Sequence, residues 1–145
     1  MYMSQDFVKI IERSADKLSK RWVKEVLKRP ELKTYHTLDE RELHQRAYNV
    51  YSQLGKWVSQ ETTKADVERH YKALGAQRKR EGFDISEVIQ ALIITRRLIW
   101  LKVLADGVLD TALDLHKAVD LNNRAVLYFD RAIYFAAKGY EDEVL

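Results

Sequence analysis

Apolar residues recur along this chain at the three- and four-residue intervals of an amphipathic helix, and no segment alternates in the manner of a strand. Val8, Ile11, Ala15, Leu18 and Trp22 mark one face of a first helix predicted over about residues 5 to 29, with Ser4 as its N-cap and Pro30 as its end. A second helix is predicted from a capping box, Thr37 with Glu40, and carries Leu43, Ala47, Val50, Tyr51, Leu54 and Trp57 to about Ser59. A third starts after Thr63 with Asp66 in its first turn. It lines one side with Val67, His70, Tyr71 and Leu74, turns basic, and stops at Gly82. A fourth opens on Asp84 with Glu87. Ile85, Val88, Ile89, Leu92, Ile99, Trp100, Val103 and Leu104 make it the most apolar and so the most central, until Asp106-Gly107 breaks it.

The last helix has two apolar series. Ala112, Val119, Val126, Ile133 and Tyr140 stand seven apart, as do Leu115, Asn122, Phe129 and Ala136, which together read as a coiled-coil seam with one polar layer. Beside it run Leu121, Tyr128 and Phe135, with Ala118, Ala125, Ala132 and Gly139. Only Lys117, Arg124, Arg131 and Lys138 hold a consistently polar line. Two readings follow: a helix buried inside its own bundle, or one packed internally on one side and against a second protomer on the other. The second makes Val119, Val126, Phe129, Ile133, Tyr128 and Phe135 candidate dimer residues, with the small series allowing close approach. The fold class is therefore all-α, about five helices in one domain over 1–145, arranged as a bundle or in a crossed, globin-like way.

Composition narrows the chemistry. With 46% hydrophobic and 32% charged residues the chain can fill a core, and five Gly with one Pro are too few for a loop-rich fold. No Cys is present, which excludes disulfides, thiolate nucleophiles and iron–sulfur clusters and fits a cytoplasmic protein. The N-terminus lacks the features of a signal peptide. The longest apolar stretch, 85–105, is interrupted by Arg96, Arg97 and Lys102, which argues against a membrane span. The net charge of +3 is small. The basic cluster of Arg69, Lys72, Arg78, Lys79 and Arg80 is flanked by Glu68 and Glu81, so nucleic acid is not expected as a partner.

No catalytic constellation is visible. None of the four histidines has a Glu three residues before it, as a di-iron bundle requires; Lys33, Arg41, Val67 and Leu113 stand there. His70 and His116 are the candidates for a haem ligand in a globin-like sensor, one alternative reading. A phosphotransfer or kinase-docking bundle is another, although around His70 the Lys and Gly of such a motif each stand one position out of place, at Lys72 and Gly75. No cofactor is expected. Arg96 and Arg97 are the oddest residues, adjacent and inside the most apolar helix. One of them is expected to be largely buried against a carboxylate. With His70, they are the first candidates for contact with an anionic ligand.

Several stretches carry a family resemblance. They are Arg21-Trp22-Val23-Lys24-Glu25-Val26-Leu27 with Pro30-Glu31-Leu32, the capped helix from Leu38, and Arg78-Lys79-Arg80-Glu81-Gly82-Phe83-Asp84-Ile85 followed by Thr95-Arg96-Arg97-Leu98-Ile99. The last is the terminal Ala136-Ala137-Lys138-Gly139-Tyr140. Over about residues 7 to 141 the chain resembles the helical N-terminal sensory domains of RsbR-type co-antagonists, the RsbRD N-terminal domain family, found in bacterial stress-signalling proteins and some sensor kinases. Gly75 stands where members of that family place a His. The resemblance implies a non-catalytic input domain that forms a homodimer and passes a signal along its terminal helix. Its implied partners are a downstream output domain or a switch kinase or anti-sigma regulator. Some relatives resemble globins without haem.

Overall fold

The computed structural model describes residues 5–59, 62–106 and 109–145; side chains are described from Phe7. Ser4 and Gly107, predicted as a cap and a breaker, lie outside them. Seven α-helices are found among the described residues, and no strand: α1 Gln5–Arg13, α2 Ala15–Lys28, α3 Glu40–Tyr51, α4 Leu54–Val58, α5 Lys64–Arg80, α6 Ile85–Asp106 and α7 Ala112–Asp142. The fold is all-α, as the periodicity predicts, with more helices than the five expected.

The extra helices come from two breaks. The predicted first helix divides at Ser14, whose amide bonds to both Ile10 and Ile11 carbonyls at 3.1 Å. The two halves have different partners, since α1 packs on α4 and α6 while α2 packs chiefly on α3, and one straight helix cannot follow both. The predicted second helix divides after Tyr51. Ser52 Oγ donates to the Tyr48 carbonyl at 2.6 Å, and the Gly55 amide at the start of α4 donates to the Glu12 carboxylate at 2.8 Å. A side chain from α1 thus caps a helix that is distant in sequence.

The capping expectations divide in the same way. Thr63 and Asp66 form a reciprocal capping box on α5. Gly82 adopts φ +89, with its amide on the Lys79 carbonyl and the Phe83 amide on Arg78, both at 3.0 Å, which is a Schellman turn. Glu87 reaches back to the Asp84 amide at 3.0 Å. Thr37, however, is not a cap. It ends a 3-10 turn, Tyr35–Thr37, and Asp39 caps α3 by accepting from the Glu42 amide at 2.8 Å. The turn is claimed by a longer-range contact: the buried Glu87 carboxylate accepts from the Thr34 amide at 2.7 Å and from its hydroxyl at 2.6 Å.

α6 lies at the middle of the molecule, with α1, α2, α5 and α7 all against it. Trp22 Nε1 donates to the Ala91 carbonyl at 3.3 Å, and Tyr51 Oη donates to that of Thr95 at 3.2 Å, so α2 and α3 are each pinned to α6 by an aromatic that also fills the core. The most extensive pairing joins α5 and α7. There Gly75 and Gly139 bring two backbones into contact. A Cβ on Gly75 would lie 1.9 Å from the Ala136 carbonyl oxygen, and one on Gly139 would lie 2.0 Å from that of Lys72. The small series Ala118, Ala125, Ala132 and Gly139 is buried in the chain, so the close approach it permits is to α5 and not to a second protomer.

Candidate functional site

The terminal helix divides its apolar series by depth. Tyr128, Phe129 and Phe135 are buried within the chain, which corrects their assignment to a dimer face: they line the inner side of α7 with Leu121 and the small series. Val126 and Ile133 are half-buried. Leu115, Val119, Leu127 and Tyr134 remain 54%, 45%, 52% and 60% exposed, a row of large apolar groups that the chain does not cover. Arg96 of α6 reaches Asp130 of α7 at 3.4 Å beside that row.

Neither Arg96 nor Arg97 is largely buried. Arg96 is half-buried and ion-paired; Arg97 is exposed. The polymethylene stem of an arginine covers apolar surface while its head stays in water, so an apolar helix accepts two of them at its rim. Arg97 opens onto a groove of about 420 Å³ between α2 and α6, which it lines with Arg21, Glu25, Arg29 and Gln90.

His70 lies elsewhere. Its ring is 4.8 Å from that of Trp57 at the mouth of a second cleft of about 790 Å³, between α4 and α5. Packing against the indole and the charge of Lys56 hold the imidazole below its ordinary range. Arg69, Arg78 and Arg80 line the same cleft, and each already has a carboxylate: Asp66 at 2.7 Å, Glu81 at 3.2 Å and Glu143 at 2.6 Å. His116, the other candidate haem ligand, is exposed on α7. The structure therefore brings Arg96 and Arg97 together only as neighbours on α6 and leaves His70 in a separate cleft.

Behind the α4–α5 cleft, two arginines share one acid. Arg46 and Arg78 both approach Glu81, at 3.4 and 3.2 Å, and both lie over the Phe83 ring with 5.9 Å to its centroid. Burial, together with the neighbouring charge of Arg46, lowers the Arg78 pKa, and burial raises that of Tyr35 to about 12. Phe83 in turn packs edge-on to Tyr35 at 4.6 Å, and Tyr140 Oη donates to the Phe83 carbonyl at 2.6 Å. The Gly82-Phe83 turn is thus where α5, α6 and the end of α7 meet, and its residues are those on which the family resemblance rests most heavily.

A model of the family described as RsbT co-antagonist protein rsbRD N-terminal domain matches residues 16–145. The chain belongs to this family. The search of curated proteins and that of solved structures gave no match. The rsbRD-type domain is a helical sensory domain of RsbR-type signalling proteins, a co-antagonist family and not a known catalytic one. Among the described residues of this rsbRD-type domain, no group of three or more potential metal ligands occurs, and no helix is long and apolar enough to cross a membrane.

Sequence reasoning missed Arg21 and Arg29 as neighbours of Arg97. Their spacing with Glu25 puts all three on one face of α2, a signal present in the sequence. That this face meets the Arg97 side of α6 is a tertiary fact. It also missed the Gly75–Gly139 contact, for which the only local sign is a pair of glycines inside helical patterns.

Proposed function

We propose that this domain is the cytoplasmic, non-catalytic signal input of a bacterial stress or two-component signalling protein, and that it works as a homodimer through α7. Membership of the rsbRD-type family supports the input role. One observation carries the rest: a 31-residue helix is locked to its own chain along one side while its other side presents Leu115, Val119, Leu127 and Tyr134. Completing the burial of these half-covered side chains contributes about 1 kcal/mol each, so that the eight from two copies fall within the range of the association cost, about 4–15 kcal/mol. A second copy is the proposed occupant because a two-fold axis would set the row against its own counterpart, with the half-buried Asn122 available to fix register. An output domain or partner regulator would receive the signal as a change in how the two α7 helices pack, and a ligand that favours one packing would set it.

Light scattering at about 100 μM, where micromolar affinity drives pairing, tests the reading. The unmodified domain is expected as a dimer, and Val119→Glu with Tyr134→Glu as a folded monomer. Tyr128→Glu with Phe135→Glu should impair folding. A monomeric unmodified domain at that concentration would refute the dimer.

A further inference from the structure

The cationic groups of this molecule are mostly matched by acids, and the groove between α2 and α6 is an exception. Arg21 and Arg97 are both exposed there, and neither forms an ion pair or a hydrogen bond among the described residues. Arg29 has only a long contact to Glu25, 3.7 Å, and Glu25 is shared with Lys28 at 3.2 Å. The Nε of Arg29 is buried and has no acceptor. Three guanidinium groups therefore surround one space with a single, divided carboxylate among them. In the α4–α5 cleft, by contrast, Arg69, Arg78 and Arg80 each meet a different carboxylate at 3.2 Å or closer.

The floor of the groove is apolar. Ile94 and Leu98 are buried, and Ile93 and Leu101 are half-buried at its edge. At about 420 Å³ it falls in the size range of small-molecule sites, roughly 300–1,000 Å³. Planar guanidinium forks match the paired oxygens of a carboxylate or phosphate, and the Gln90 side chain adds a neutral donor. We infer that this groove binds a small amphipathic oxyanion, a carboxylate or phosphate monoester bearing a short aliphatic group. The oxygens would lie among Arg21, Arg29 and Arg97, and the aliphatic group on Ile93 and Leu101. The inference names a ligand class for the signal-input reading and rests on that reading for its biological meaning, because α6 joins the groove to α7.

The test is calorimetric titration of the full chain with hexyl phosphate and with hexanoate. Inorganic phosphate and hexanol serve as the head-only and tail-only arms. Saturable binding by at least one of the two amphiphiles is expected. Loss of a charge-assisted contact in Arg97→Gln or Arg21→Gln should weaken it about tenfold or more. Both residues are exposed, so the variants should keep the parent's circular dichroism. Arg69→Gln, in the other cleft, should leave binding unchanged. Absence of saturable binding by either amphiphile, binding indifferent to Arg97 and Arg21, or equal weakening by Arg69→Gln would overturn the site. Light scattering on the same samples separates the two readings. Binding that leaves pairing untouched keeps the site and counts against its role in input, whereas dimers that bind neither probe remove the site and leave the input reading standing.

Discussion

Gly75 and Gly139 carry the sharpest residue-scale consequence. In an ordinary helix interior, Gly→Ala is worth about 1 kcal/mol of added stability. Here the new methyl would lie against a backbone carbonyl on the opposing helix, at 1.9 or 2.0 Å, and backbone cannot rotate aside as a side chain can. Gly75→Ala or Gly139→Ala should therefore destabilise by about 3 kcal/mol, at the upper end of overpacking costs, as read by urea unfolding. A neutral or stabilising result would show that the helices separate easily. Glu87 supplies a second expectation. Burial raises its pKa, but the hydroxyl and amide of Thr34, the Asp84 amide and the charge of Lys33 outweigh burial and leave it below the usual carboxylate range. A depressed acid contributes stability that is present above its unfolded-state pKa and is lost as pH falls through the folded value. Glu87→Gln should thus flatten the fall in stability below about pH 4.5, measured by denaturation across the acid range. His70 is depressed as well, by burial and by Lys56. Lys56→Met should move its NMR titration midpoint upward.

At the scale of elements, what was legible depended on range. Thr63-Asp66 and Gly82 act through their own neighbours within a turn, and both did what the sequence predicts. Thr63→Ala should cost about 1 kcal/mol in a thermal or urea melt. Thr37→Ala should cost only a few tenths, because its hydroxyl bonds locally to the Thr34 carbonyl and caps no helix. The sequence placed that cap wrongly because Glu87, 53 residues away, takes hold of Thr34 and winds the segment into a 3-10 turn. The breaks at Ser14 and Ser52 were hidden for the same reason: an amphipathic stripe runs through both, and only the differing partners of the flanking helices divide it. Of the candidate site, Arg97 was legible as a charge out of place on an apolar helix. Arg21 and Arg29 were not, since nothing local says which helix faces them. On α7 both apolar series were legible but their depth was not. A heptad looks alike whether it meets α5 or a second protomer, and the glycine and alanine series is what decides in favour of α5.

At the scale of the whole molecule, one chain already buries a continuous core from Phe7 to Ala136, so a dimer would join two folded bodies and would not complete an unfinished one. Folding and pairing should then be separable. The melting temperature of the unmodified domain should rise with protein concentration, because pairing stabilises only the folded state. That of the Val119→Glu, Tyr134→Glu variant should be independent of concentration. The interlock between α5 and α7 also limits how this body can move. A slide of α7 along its axis by one turn, about 5.4 Å, would carry a neighbouring residue of the same face into the place that Gly139 fits, against the Lys72 backbone. A piston stroke of one turn is thereby opposed. A tilt or roll of α7 about the crossing at Gly75 would keep the glycine contacts in place, and it is the motion this interlock opposes least.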